Sequence, residues 1–177
     1  LACGEDLGMI PGCVKGVMDE LRILSLEIER MPKQYGETFA NPERYPYLSV
    51  CSISTHDMST LRGWWHEDPN LTQRYYEQVL RGWGKCPKEA PGWICDTIVV
   101  NHLLSNSMLC ILSFQDWLSI DENVRYPDAD AERINVPADS RHYWRYRMHL
   151  TIEELMKCDF LNRRIANMVQ KSGRSSY

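Results

Sequence analysis

The stretch Val50 to Thr60, read V-C-S-I-S-T-H-D-M-S-T, constrains this chain more than any other. Residues 48–54 are apolar or small, the character of a strand buried on both faces of a parallel sheet. They run straight into Thr55, His56 and Asp57, and a helical pattern follows. A carboxylate just beyond the end of a buried parallel strand stands where α/β barrels place their chemistry. A second such place lies at the start, in Leu1-Ala2-Cys3-Gly4-Glu5-Asp6-Leu7-Gly8.

The rest of the chain alternates around these two tips. Leu1 to Cys3 reads as the tail of a strand, which predicts a fragment of a longer chain. Pro11 opens a helix with the stripe Val14, Val17, Met18 and Leu21. Ile23 to Ile28 is a strand. Residues 31–47 hold four structure breakers, Pro32, Gly36, Pro42 and Pro46, and read as a long loop, a candidate for closing over a site. Asp68 and Pro69 start a helix whose buried side is Leu71, Tyr75, Tyr76, Val79, Leu80 and Trp83. A largely apolar helix spans 93–105 and a further strand 108–113. Thr151 and Glu154 form a capping box that opens a last helix with the stripe Leu155, Cys158, Ile165, Met168 and Val169. The tail from Ser172 to Tyr177 is expected to fray. Strand–helix alternation means a parallel sheet with right-handed crossovers. A closed barrel needs eight strands and typically about 250 residues. About four parallel strands in 177 residues would make half of one.

Composition removes several classes. The formal net charge of −4, with no long basic run, gives no footprint for nucleic acid. No apolar run reaches about 18 residues, so no membrane helix is expected. The seven cysteines are odd in number and none forms C-x-x-C, which predicts a reduced, cytoplasmic set rather than a disulfide frame or zinc site. There is no phosphate-binding loop, no G-x-S-x-G and no H-E-x-x-H, so neither cofactor nor metal is expected.

The residues that remain for chemistry are Glu5 and Asp57. In a barrel, strand ends of one polarity converge on one face, so carboxylates distant in sequence meet there. Glycosyl transfer needs one carboxylic acid to protonate a leaving oxygen and others to steady an oxocarbenium-like transition state. Position alone leaves helix capping equally open for both residues. His56 reads either as a satisfied histidine at a strand end or as a donor to a sugar hydroxyl. His102, inside an apolar helix, reads as hydrogen-bonded core. Of Trp64 and Trp65, one is expected to pack inward and the other is available to stack on a sugar ring.

Gly4-Glu5-Asp6-Leu7-Gly8 and Ser54-Thr55-His56-Asp57-Met58-Ser59-Thr60 resemble two signature blocks of the amylomaltases, the 4-α-glucanotransferases. Phe114-Gln115-Asp116-Trp117-Leu118, Arg133-Ile134-Asn135-Val136-Pro137 and Tyr143-Trp144-Arg145-Tyr146-Arg147 resemble later blocks in the same order. The resemblance implies the C-terminal half of a (β/α)8 barrel across 1–177. It also implies an enzyme that breaks and re-forms α-1,4-glucosidic bonds with retention, acting on maltooligosaccharides or α-glucans. Glu5 would match the general acid/base, Asp57 the transition-state-stabilising aspartate, and His56 and Asn135 sugar contacts. The form H-D-M-S-T, where many short bacterial enzymes read H-D-N-D-T, is similar to the larger branch with the plant cytosolic disproportionating enzyme. No R-I-D-H-like motif carrying the family's nucleophile aspartate is present. The chain is therefore expected to need its missing barrel half, or to self-associate through open sheet edges. A related α-glucan hydrolase and a non-catalytic glucan-binding fragment stand as alternatives.

Overall fold

The computed structural model describes residues 1–175. Its centre is a parallel sheet of three strands, β1 (Ser25–Ile28), β2 (Ser49–Ser52) and β3 (Leu109–Cys110), in sequence order. Ser25 pairs with Ser49, Ile28 with Ser52, and Cys51 with Cys110. A fourth segment joins the other side of β1 through one parallel bridge, Cys3 to Leu24. The expectation of about four parallel strands thus resolves into three strands and a single bridge.

Side chains cut the ladders short at both margins. Beyond the Cys3 bridge, the next parallel bond would run from the Leu26 N–H to the Gly4 carbonyl. The Asp6 carboxylate takes that N–H instead, at 2.9 Å. On the other margin β3 ends well before residue 113, because Ser113 turns the chain into α5 (Phe114–Leu118) by accepting the Asp116 N–H on its hydroxyl. β2 is buried at every position, as expected of a central parallel strand.

Helices stack on this sheet, and their starts follow local capping chemistry. α1 is Val14–Leu21, of which only Met18 is buried; Val17 and Leu21 are exposed. α2 (Leu61–Glu67) begins at Thr60, whose hydroxyl accepts from Gly63 N–H. α3 (Pro69–Gln78) begins at Asp68, whose carboxylate accepts from the Asn70 and Leu71 N–H groups, with Pro69 at the first helical position. α3 stops earlier than its apolar stripe suggests. Arg81 adopts a positive φ, and Gly82 passes so close to the Tyr76 ring that no Cβ fits. Trp83 consequently points into solvent rather than into the core. α4 (Gly92–Leu103) is largely apolar and buries Ile94, Cys95, Ile98, Val99, His102 and Leu103, while Trp93 is exposed. The final helical pattern divides into α6 (Ile152–Met156) and α7 (Asp159–Lys171), and the Thr151–Glu154 capping box is formed. Arg164 of α7 holds Asp96 of α4 with two hydrogen bonds of 2.6 and 2.5 Å.

The core gathers Ile53, Trp64, Trp65, Tyr75, Ile94 and Leu118 with their neighbours. Both Trp64 and Trp65 are buried in it, so neither is left to stack on a ligand. The 31–47 loop is fastened rather than free. Phe39 meets Trp64 and Tyr75 edge-on, at 6.4 and 5.0 Å, and the Asn106 side chain donates to the Tyr45 carbonyl. Those contacts disfavour the closing role anticipated for it. The tail is also fastened through Arg174, whose guanidinium donates to the carbonyls of Leu103, Ser105 and Ser107. Of the tail anticipated to fray, residues 176 and 177 lie outside the described residues.

Candidate active site

Glu5 lies two residues past the bridged Cys3, and Asp57 lies five past the last residue of β2. Because every pairing is parallel, both carboxylates leave the sheet at the same end. The convergence inferred from sequence therefore holds at the level of sheet polarity.

The local chain around Asp57 is a tight turn. Met58 N–H donates to the Thr55 carbonyl, and Asp57 N–H to the Thr55 hydroxyl. The turn lifts His56 and Asp57 out of the sheet, each with a little under half of its side chain exposed. His56 Nε2 lies 3.2 Å from Asp57 Oδ2. On the other oxygen, Asn135 Nδ2 donates to Asp57 Oδ1 at 2.6 Å. Three of the four residues singled out in the sequence thus meet at one carboxylate, across a separation of 78 positions. Glu5 is exposed on its own loop beside Asp6, which Lys33 pairs at 2.8 Å. Among the described residues, no hydrogen bond or ion pair joins Glu5 to this triad.

One aromatic was missed. The Trp144 ring lies against the His56 imidazole, with centroids 5.1 Å apart and a 45° tilt, and it is largely exposed. An exposed indole beside polar groups offers a flat apolar face with a polar edge. Its signal in the sequence was the W-R-Y-R run, which points to no partner by itself.

Beneath the turn sits a buried polar layer. The Glu132 carboxylate receives Thr60 Oγ1 at 2.9 Å and pairs with Arg62, which also donates to the Tyr126 carbonyl. Burial raises the Glu132 pKa, and the Arg62 charge opposes the rise. Gln115 donates to the Glu132 carbonyl, so α5, α2 and the 126–135 loop are tied together. That loop carries Asn135, which explains how a residue so distant reaches Asp57. Two cavities flank the site. One of about 180 Å³ is lined by Thr55, His56, Met58, Ser113 and Gln115. Another of about 610 Å³ is lined by Glu67, Arg133, Tyr143, Arg145 and Tyr146 among others. Among the described residues, no group of three or more histidine, cysteine or acidic side chains is arranged to hold a metal ion, and all seven cysteines are free. No described helix is long and apolar enough to cross a membrane.

Comparison with known proteins places this geometry. A family model described as 4-alpha-glucanotransferase matches residues 1–151. The 4-alpha-glucanotransferase DPE2 of Oryza sativa subsp. japonica is 40% identical over 175 residues, covering 99% of this chain and 18% of the rice protein. The 4-alpha-glucanotransferase of Chlamydia caviae is 32% identical over 174 residues, covering 97% of this chain and 32% of its own length. The chain thus spans between about a fifth and a third of these relatives. Among solved structures, the amylomaltase of Streptococcus agalactiae in complex with acarbose superposes with a TM-score of 0.73 at 18% identity, over 97% of this chain and 31% of that one. The amylomaltase of Corynebacterium glutamicum gives 0.70 at 15% identity, over 96% of this chain and 28% of its own. At those identities the structures speak for the fold, an α/β arrangement on a parallel sheet. The match to the family model, over most of the chain and both acidic tips, shows that this chain belongs to the 4-alpha-glucanotransferase family.

Proposed function

We propose that the chain supplies the C-terminal half of a (β/α)8 barrel that transfers glucosyl or 4-α-glucanosyl units between maltooligosaccharides or α-glucans. The observation that carries this reading is the Asp57 carboxylate, held by His56 and Asn135, at the same end of a parallel sheet as Glu5. In this reading Glu5 protonates the departing sugar oxygen and then takes the proton of the incoming hydroxyl. Asp57 binds hydroxyls of the distorted sugar and offsets the positive charge that develops at its ring. His56 and Asn135 orient that carboxylate and add contacts of their own. Trp144 offers the sugar a stacking face. The attacking aspartate of the double displacement comes from the part of the barrel that this chain does not contain. Four parallel segments in chain order, with open margins at Cys3 and β3, fit half of a closed barrel. The rest of the barrel, or a second copy of the chain, would cover those margins. Seven free cysteines fit a cytoplasmic setting.

Two measurements test the reading. Residues 1–177 alone should show no maltose disproportionation, and clear turnover would overturn the division of the site. In the barrel-complete protein, Glu5→Gln should nearly abolish transfer while maltooligosaccharide binding persists. Survival of activity would remove Glu5 from the acid/base role. Longer oligosaccharides among the products mark transfer, whereas glucose alone marks hydrolysis.

A further inference from the structure

The turn that carries His56 and Asp57 is gripped from beneath by two charges of opposite sign, Arg30, which is half-buried, and Asp116, which is buried. Arg30, just past β1, sends one guanidinium nitrogen, Nη2, to the Ile53 carbonyl at 3.0 Å and to the Ser59 carbonyl at 2.9 Å. The same nitrogen lies 3.3 Å from Met58 Sδ. One cation thus ties the chain where it enters the turn to the chain where it leaves. Its guanidinium rests over the Trp64 ring at 5.1 Å, and its Nε is sealed from solvent without a partner. Asp116 grips from the other side and is fully buried. Its Oδ1 accepts the Leu61 N–H at 2.9 Å, and its Oδ2 accepts the Ser54 hydroxyl. The four tied positions, 53, 54, 59 and 61, bracket His56 and Asp57 and leave only the tip of the turn free.

A half-buried guanidinium whose Nε is sealed without a partner is a costly way to hold a loop if stability alone is at stake, since desolvation opposes it and an apolar side chain would pack in its place. No carboxylate lies within 4.0 Å of Arg30 among the described residues, so its charge is spent on backbone carbonyls and a thioether. The clamp also uses Met58 and Ser59, the two residues at which this chain departs from H-D-N-D-T. The geometry points to Arg30 and Asp116 as positioning residues that fix the height of His56 and Asp57 above the sheet. This inference rests on the glucanotransferase reading for its catalytic consequence, and on the hydrogen bonds alone for its structural one.

The experiment has two arms on the barrel-complete protein, with Arg30→Met and the conservative Arg30→Lys. The first arm is hydrogen exchange by mass spectrometry. In Arg30→Met, amides of the 53–61 peptide should exchange at least about tenfold faster while α4 peptides keep the wild-type rate; Arg30→Lys should recover most of the protection. Equal acceleration everywhere, or none at 53–61, overturns the clamp. The second arm is transfer kinetics. Arg30→Met should lose about 100-fold in kcat with KM changed less than about threefold, and Arg30→Lys should regain at least tenfold. A loss confined to KM, or kinetics that track only the melting temperature, overturns the positioning role. A wild-type protein without transfer activity would defeat the glucanotransferase reading, whereas the exchange result would still decide the clamp. Should Arg30→Met fail to fold, Arg30→Gln, which removes the charge and cannot reach both carbonyls, takes its place in both arms by the same criteria, with Arg30→Lys again as the rescue.

Discussion

The two acidic tips are built in opposite ways. Asp57 stands on a turn whose every end is tied: to Arg30 and Asp116 below, and to His56 and Asn135 at its own carboxylate. Glu5 stands on a loop held through its two neighbours, where Gly4 N–H donates to the Leu24 carbonyl and Asp6 accepts the Leu26 N–H and pairs with Lys33, while its own side chain is exposed. The helix that follows Asp57 is packed into the core, while α1, which follows Glu5, keeps Val17 and Leu21 in solvent. The difference teaches that this chain holds the Asp57 carboxylate with its own side chains and leaves the Glu5 side chain exposed.

The largest expected effect falls on the tied side. Asp116→Ala strands the Leu61 N–H and the Ser54 hydroxyl in a dry interior and removes a negative charge that favours the Arg30 cation. Two unsatisfied buried donors predict a loss of about 4 kcal/mol. Urea unfolding of the chain reads it directly. A loss below about 1 kcal/mol would mean that the turn holds itself, and the contrast between the tips would vanish.

The next effect is a pH dependence under the same region. Glu29 is buried, hydrogen-bonded by Tyr75 at 2.6 Å, and its pKa is pushed up to about 7 by burial against the opposing pull of Tyr75 and Arg30. His102 faces it with Nε2 at 4.0 Å from Oε2, and burial lowers its pKa to about 4. Its Nδ1 contacts the Ile98 carbonyl, which can only accept, so Nδ1 carries the proton and Nε2 is left bare. The signs oppose. A raised carboxylate gives stability that is full below pH 4.5 and is lost as pH rises through about 7. A depressed histidine gives stability present above pH 6.5 and lost as pH falls through about 4. At about 1.4 kcal/mol per unit, each slope is worth about 3 kcal/mol at most, and in the wild type they nearly cancel. His102→Gln should therefore lose stability from pH 4.5 to 7, and Glu29→Gln should gain it from pH 4 to 6.5. Slopes of the same sign in both variants would refute the assignment.

Much of this was legible in the sequence, and the remainder failed for identifiable reasons. The strand before His56, the caps at Asp68, Thr151 and Glu154, and the hydrogen-bonded core role of His102 are local signals that match the structure, whereas Pro11, expected to open a helix, stands three residues before α1 begins at Val14. Trp83 was assigned to the core because it continues the stripe of α3, but the close approach of Gly82 to Tyr76 ended that helix first. The sequence leaves one of Trp64 and Trp65 available to a ligand; both are core, with Phe39 of the 31–47 loop edge-on to Trp64. The Asn135–Asp57 bond spans 78 positions, and the Arg30 bonds span 23 and 29. No periodicity reports pairings of that range. Asn135 was reachable only through the family resemblance, and Arg30 not at all, because an arginine beyond a strand reads as an ordinary surface charge.

On the open side the effects shrink. Lys33 Nζ lies 2.8 Å from Asp6 Oδ2 and 2.9 Å from Glu27 Oε1 and is partly exposed. Lys33→Met should cost about 1 kcal/mol or less, the ordinary scale of a solvent-reached ion pair. Most of it should disappear in 1 M salt, where screening acts within about 3 Å. A cost matching that of Asp116→Ala would show the Glu5 loop to be as firmly built as its counterpart.

The smallest effect is the sharpest test of which apolar surface the chain leaves in solvent. Val17 and Leu21 lie on the apolar stripe of α1, yet are 48% and 62% exposed, close to the exposed Met9 and Ile10 in sequence. An apolar side chain that remains in water on folding contributes no transfer free energy to stability. The double substitution Val17→Ser, Leu21→Ser should therefore leave the urea midpoint of the dilute chain unchanged to within about 0.5 kcal/mol, the usual range for surface changes. The same substitution should reduce self-association in sedimentation at high concentration, because the stripe is then the surface that a second copy covers. A large loss of stability in dilute solution would mean that α1 packs onto the sheet more deeply than Met18 alone. The Glu5 tip would then rest on a core of its own.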